Sequence, residues 1–166
     1  MEFELKPLSP QAVPAALEKA HLYRLLNEPA QAESICLDIL RVDPDNQTGL
    51  VTLLLAITDQ FGADGTPPRA REVLGRLKGE YERAYYSGII FERSARVSMQ
   101  LALPGAVFKA YDGFVKAMHC YEKAEALRPA DNDDSLLRWN TCARTLMRHR
   151  ELHPENLEAL ETVLDD

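Results

Sequence analysis

Residues 117–129 read AMHCYEKAEALRP, and residues 32–44 read AESICLDILRVDP. The two blocks share one spacing. Each has an alanine, a larger residue four positions on (Tyr121, Cys36) and a closing proline (Pro129, Pro44), and the prolines stand 85 residues apart. Residues four apart lie on one face of a helix. An alanine on that face lets a second helix approach closely, and the larger residue fills the space beside it. The proline fixes the turn into whatever follows. Two such blocks in one chain predict repeated helical hairpins.

The sequence on either side keeps the helical period. Ser9-Pro10 is a cap followed by proline at a first helical position. Apolar residues then recur through Val13, Ala16, Leu17, Ala20, Tyr23 and Leu26, until Asn27-Glu28-Pro29 breaks the run. A second run, 30–42, places Ala32, Ile35, Cys36, Ile39 and Leu40 on one face. Asp43-Pro44-Asp45-Asn46 turns the chain and can cap the next helix. The third run, 47–61, is apolar on most sides, which predicts burial on most sides. Residues 62–68 read as a loop. A fourth helix is expected from about 68 to 78, a fifth from 80 to 103, a sixth after Pro104-Gly105 to 128, and a seventh from 135 to 152. Leu157, Leu160, Val163 and Leu164 could form a short acidic amphipathic helix at the end. No segment reads as a strand. The expected fold is all-α, with about seven main helices in antiparallel pairs.

Composition agrees with a folded domain. The chain has 166 residues, 46% hydrophobic and 27% charged, enough for one continuous core. Its formal charge of −7 argues against nucleic acid as the main partner, since phosphate binding needs a basic footprint. The charge is uneven: residues 1–68 carry net −6, residues 69–150 net +5, and residues 151–166 six acidic groups with no lysine or arginine. Cys36, Cys120 and Cys142 are widely spaced and form no CxxC, so they read as small hydrophobes rather than as a disulfide framework or a zinc site. The N-terminus lacks the basic-then-apolar order of a signal peptide, and the longest apolar run, Leu53 to Ile57, is too short to span a bilayer. A cytoplasmic location and no membrane partner are therefore expected.

The segment from Ala20 and Tyr23 through Ala32 and Cys36 to Pro44 resembles the tetratricopeptide repeat, as does Ala117, Tyr121, Ala124 and Pro129. In that family a small residue precedes a tyrosine by three in the first helix, an alanine starts the close helix contact, and a proline closes the unit. The resemblance covers about residues 13–150. It implies units of about 13–46, 47–79 and 80–130 with a final helix at 131–152, stacked in a right-handed superhelix. Residues 1–9 become an N-terminal extension and 153–166 an acidic segment. Two departures stand out. The family's tryptophan near the start of the first helix is absent, with Ala16 and Leu50 in its place, and the third unit is long, with Gly88 and Phe91 keeping the small-then-aromatic spacing.

The resemblance also implies a site. Members of such families hold peptides on a concave side built from the first helix of each pair. Carried onto this chain, that side would present Leu17, His21 and Arg24 from the first helix and Val51, Leu55 and Thr58 from the third. The fifth would add Tyr85, Ile89 and Arg93, and the seventh Arg138, Asn140 and Arg144. This set is apolar at the centre with donors at the rim, as peptide grooves are, although Leu55 and Ile89 can equally be read as core. The subfamily clamp that grips chaperone tails with lysines and asparagines is missing, since Leu17, His21 and Thr52 stand at those positions.

No catalytic, cofactor-binding or metal-binding set emerges. His149 and His153 are four apart, but no further ligand completes a site, and Asp133-Asp134 is explained by helix capping. The arginines at 69, 71, 76, 83, 93 and 96 alternate with Glu72, Glu80, Glu82 and Glu92. They read as a solvated, salt-bridged face, the alternative being a docking surface for an acidic partner. The expected function is that of a non-enzymatic interaction module, an adaptor or scaffold, whose partner is another protein or a peptide, a second copy of the chain included. A small secretion-type chaperone is the first alternative and an enzyme with a helical active site the second. The acidic tail is expected to fold back on the seventh helix, opposite its arginines. Its other readings are a blocker of the groove and a disordered end.

Overall fold

The computed structural model describes residues 3–101 and 103–155. A short 3-10 turn, Pro10–Ala12, leads into seven helices: α1 Val13–Leu25, α2 Pro29–Val42, α3 Gln47–Asp59, α4 Pro67–Leu74, α5 Glu80–Gln100, α6 Ala106–Leu127 and α7 Asp134–Arg148. No strand occurs among the described residues, which hold one isolated bridge between Phe61 and Gly65. Each helix packs on the next, and α1 with α3 and α3 with α5 also touch. The fold is thus all-α and repeat-like, as the periodicity predicted.

Local chemistry sets the boundaries. Asn27, at φ 59°, takes the left-handed conformation that ends α1, a region asparagine tolerates better than most residues. Asn46 caps α3 by accepting the Gly49 N–H at 2.8 Å; this satisfies one of the donors that a helix start leaves unpaired. The helix expected from 68 to 78 ends early, at Leu74. There the chain tightens into i→i−3 bonds, Arg76 N–H to Val73 and Leu77 N–H to Leu74. Arg83 then donates to the Leu77 and Lys78 carbonyls at 2.9 and 2.8 Å. The early stop swings Leu77 into the core, and Arg83 supplies donors to two of the carbonyls that the bend leaves outside a helix.

Two apolar clusters share α5 as their common wall. The first joins Ala20, Cys36, Leu40, Leu50, Leu53, Leu54, Ile57, Ala70, Val73 and Leu77 to Ile90 of α5. The second gathers Ile89 and Ala95 of α5 with Ala110, Phe114, Ala117 and Tyr121 of α6, Cys142 of α7 and Leu152. Ala32 and Ala117 are fully buried, as their place in the repeated blocks predicted. The tightest crossing is that of α5 and α6. A Cβ on Gly88 would run into the Tyr121 ring, 2.7 Å from its Cδ1, and one on Gly113 would come within 2.9 Å of the Ala95 Cβ. Glycine is required at 88 because an aromatic ring occupies the space of its missing side chain.

The seventh helix stops at Arg148 rather than continuing to 152. Past it the chain turns, Leu152 enters the second cluster, and the His153 ring packs edge-on to Phe108 with centroids 5.1 Å apart. The segment just after α7 therefore returns toward the start of α6. The expected amphipathic helix and the fold-back of the acidic tail fall on residues 156–166, outside the described residues.

Candidate functional site

Asp59, the last residue of α3, lies where three odd-numbered helices meet. It accepts Arg24 Nε of α1 at 2.8 Å and pairs with Arg93 of α5. Arg93 also donates to the Leu55 carbonyl at 3.1 Å and to the Thr58 hydroxyl at 2.5 Å. The Thr58 hydroxyl can accept because its own proton goes to the Leu55 carbonyl at 2.9 Å. A guanidinium in this position meets the negative end of the α3 dipole, and Asp59 there is offset by two cations. Burial lowers the Arg93 pKa from its ordinary value and Asp59 opposes that shift; an arginine remains charged in either case.

One residue earlier, α5 turns a carboxylate the other way. Glu92 is 1% exposed. Its Oε1 accepts from Arg96 at 2.9 and 3.2 Å and from Arg138 of α7 at 3.3 Å, and its Oε2 from the Tyr121 hydroxyl of α6 at 2.7 Å. A buried carboxylate is tolerable only when paired and hydrogen-bonded in this way. Arg138 sits partly buried beside Tyr85. Desolvation is the largest influence on its pKa and lowers it, but Glu92, Tyr85 and Tyr121 together outweigh that and the net shift is upward. Burial, with Glu92 adding to it, pushes the Tyr121 hydroxyl well up, and burial takes Tyr86 to about 12.

A third group lies between α5 and α7, where Arg96, Thr141, Arg144, Thr145 and Arg148 surround a shallow cleft of about 230 Å³. Both threonines donate their protons within α7, to the Leu137 and Thr141 carbonyls, each at 2.9 Å. The free donors of the cleft are therefore guanidinium groups. Arg144 and Arg148 make no ion pair among the described residues.

The residues expected on the peptide side divide accordingly. Arg24, Leu55, Thr58 and Arg93 converge around Asp59; Tyr85 and Arg138 converge at Glu92; Arg144 belongs to the arginine cleft. Val51 lines a separate cleft of about 390 Å³ with Leu77 and Tyr86. Leu17 and Asn140 are half-buried and His21 exposed, outside these clusters. Two expectations need correction. Ile89 is 1% exposed and belongs to the core, because it faces α6. Thr58 is 2% exposed, covered by Arg93, and serves the α3–α5 contact rather than an open surface.

The basic run also differs from the solvated face expected of it. Of its pairs, only Arg96 with Glu92 follows the i, i+4 spacing within one helix. Arg69 reaches Glu33, Arg76 the Pro44 carbonyl and Arg93 Asp59. These arginines tie neighbouring elements together. Sequence reasoning missed Asp59, Glu92, Arg96 and Arg148 as parts of the face. For Glu92 a signal existed: it falls four residues after Gly88 and three before Ala95, on the core side of α5.

Among the described residues no three His, Cys, Asp or Glu side chains group as a metal site, and no helix is long and apolar enough to cross a membrane. No family model matches the chain, and neither the curated proteins nor the solved structures hold a significant match to it.

Proposed function

We propose that this chain is a tetratricopeptide-like interaction module that holds an extended or helical segment of a partner protein along the face shared by α1, α3, α5 and α7. One observation carries the reading. Half-exposed side chains from α1, α3, α5 and α7 (Arg24, Leu55, Tyr85, Arg93, Arg138) stand along linked helices, their guanidiniums held by carboxylates. Donors fixed in advance, with apolar side chains between them, suit a bound backbone, since little entropy is lost when they engage it.

The test is a selection of peptides from a random library on the intact chain, followed by mapping with a photo-crosslinking residue. Placed at Leu55, it should capture the selected peptides; placed at Leu37, on the exposed side of α2, it should not. Capture at Leu37 alone, or no selected peptide at all, would overturn the reading. Asn140→Ala is a cleaner companion variant than Arg93→Ala, because Arg93 also joins α3 to α5.

A further inference from the structure

The linked face is strongly cationic in a chain that is acidic overall. Arg24, Arg93, Arg96, Arg138, Arg144 and Arg148 lie on α1, α5 and α7, and the carboxylates that pair with them among the described residues are Asp59 and Glu92. Asp134, one turn before Arg138 on α7, also acts on Tyr85, so six positive charges against three negative leave an excess of three, whereas the whole chain carries −7. The two pairing carboxylates are also unevenly placed. Asp59 and Glu92 engage Arg24, Arg93, Arg96 and Arg138, so Arg144 and Arg148 face the cleft without a counter-charge among the described residues.

We infer that the partner segment bound by this face is acidic, and that its carboxylates dock in the cleft of Arg96, Arg144 and Arg148. The inference rests on the peptide-binding reading above and adds the partner's chemistry. Guanidinium groups offer planar pairs of N–H donors that match a carboxylate in two parallel bonds, which lysine cannot do. The cleft's charged groups are all arginines, and the hydroxyls beside them have already given up their protons. Its volume of about 230 Å³ suits one or two carboxylate side chains rather than a backbone of successive phosphates. The −7 net charge opposes the approach of a polyanion, while a short acidic peptide feels mainly the local excess within a Debye length. Leu137, 59% exposed, lies on the same stripe of α7 as Thr141 and Arg144, so an apolar residue beside the acidic ones would find a seat there.

The experiment selects dodecapeptides from a random library on the full chain. The winners are then synthesised with their Asp and Glu intact and with Asn and Gln in their place. Binding is read by fluorescence anisotropy, with R144Q/R148Q as the test variant and R71Q, on the exposed side of α4, as the control. The selected peptides should be enriched in Asp and Glu, and the amide versions should bind about tenfold more weakly. R144Q/R148Q should lose most of that difference while melting like the parent, and R71Q should bind like the parent. Raising salt from about 50 to about 300 mM should weaken the acidic peptides and leave the amide versions nearly unchanged. Selected peptides without acidic enrichment, or amide versions that bind equally well, would overturn the inference and leave the peptide-binding face standing. Failure to select any peptide would remove both. A thymidine dodecanucleotide that binds more tightly than the best peptide and displaces it would overturn the inference in favour of nucleic acid.

Discussion

The N-terminal and C-terminal halves of this molecule are held together by different physics, although both are stacks of helices. Around α3 the core is aliphatic, with Leu50, Leu53, Leu54 and Ile57 among its buried residues. Such a core is close to a problem of volume and can repack around similar shapes. Around α6 it is built on an aromatic ring seated against a glycine, a stripe of alanines, and a buried carboxylate shared by three helices. That arrangement depends on particular atoms at particular distances. The helix α5 belongs to both halves: Ile90 and Arg93 face the first, and Ile89 and Glu92 the second.

The sharpest way to break this contrast is at Glu92. Glu92→Ala would strand the Tyr121 hydroxyl and leave Arg96 and Arg138 without their shared partner, at a cost of ~3–5 kcal/mol. The melting temperature should fall by roughly 6–20 °C. Leu54→Met, at a fully buried site of the aliphatic half, should cost less than about 1.5 kcal/mol. Equal losses from the two substitutions would end the distinction.

Next in size are the close helix crossings. Gly88→Ala improves helix propensity by about 1 kcal/mol, yet the added methyl collides with the Tyr121 ring. Overpacking should win, for a net loss of up to ~2 kcal/mol. Ala117→Leu, fully buried on α6, should lose ~1–3 kcal/mol for the same reason. Chemical denaturation of either variant at parental stability would show that α5 and α6 can move apart freely.

Alkaline pH should sharpen the comparison further. Burial raises Cys36 and Cys142 from 9.0 to about 12 and Tyr86 from 10.0 to about 12. With folded pKa values above the unfolded ones, the unfolded chain loses its protons first. The stabilisation is therefore complete below pH 9 and declines as the pH rises from about 9 toward 12. Cys142, Tyr85 and Tyr121 all belong to the C-terminal half, so that half should yield at lower pH. Trp139, the single tryptophan, packs against the C-terminal cluster. Its fluorescence should change at lower pH than the far-ultraviolet circular dichroism of the whole chain. Coincident transitions would mean that the halves unfold as one unit.

The smallest effect is expected at Lys78→Leu. Lys78 pairs with Asp45 at 3.1 Å, but the side chains are 67% and 79% exposed. An ion pair so open to water is worth little, and stability should stay within about 0.5 kcal/mol of the parent.

The sequence by itself determined the class of fold and most of the helix ends, because these depend on local chemistry. Apolar periodicity, Asn46 as a cap, Asn27-Glu28-Pro29 as a breaker, and small residues at 32 and 117 all act within a few residues of where they stand. The early end of α4 carried a local mark, Gly75 at its C-cap, but the bend that follows was not legible, because Arg83 reaches back to the Leu77 and Lys78 carbonyls there. The face was half legible. Helical spacing marked Arg24, Arg93 and Arg138, but it could not show that Asp59 joins the first two or that Glu92 holds the third. It left Ile89 open between the groove and the core, and α6 covers it. Only the tertiary structure decided these points, since an ion pair between residues 35 or 46 positions apart is set by where whole helices lie. No local pattern records which distant charge a buried guanidinium will meet.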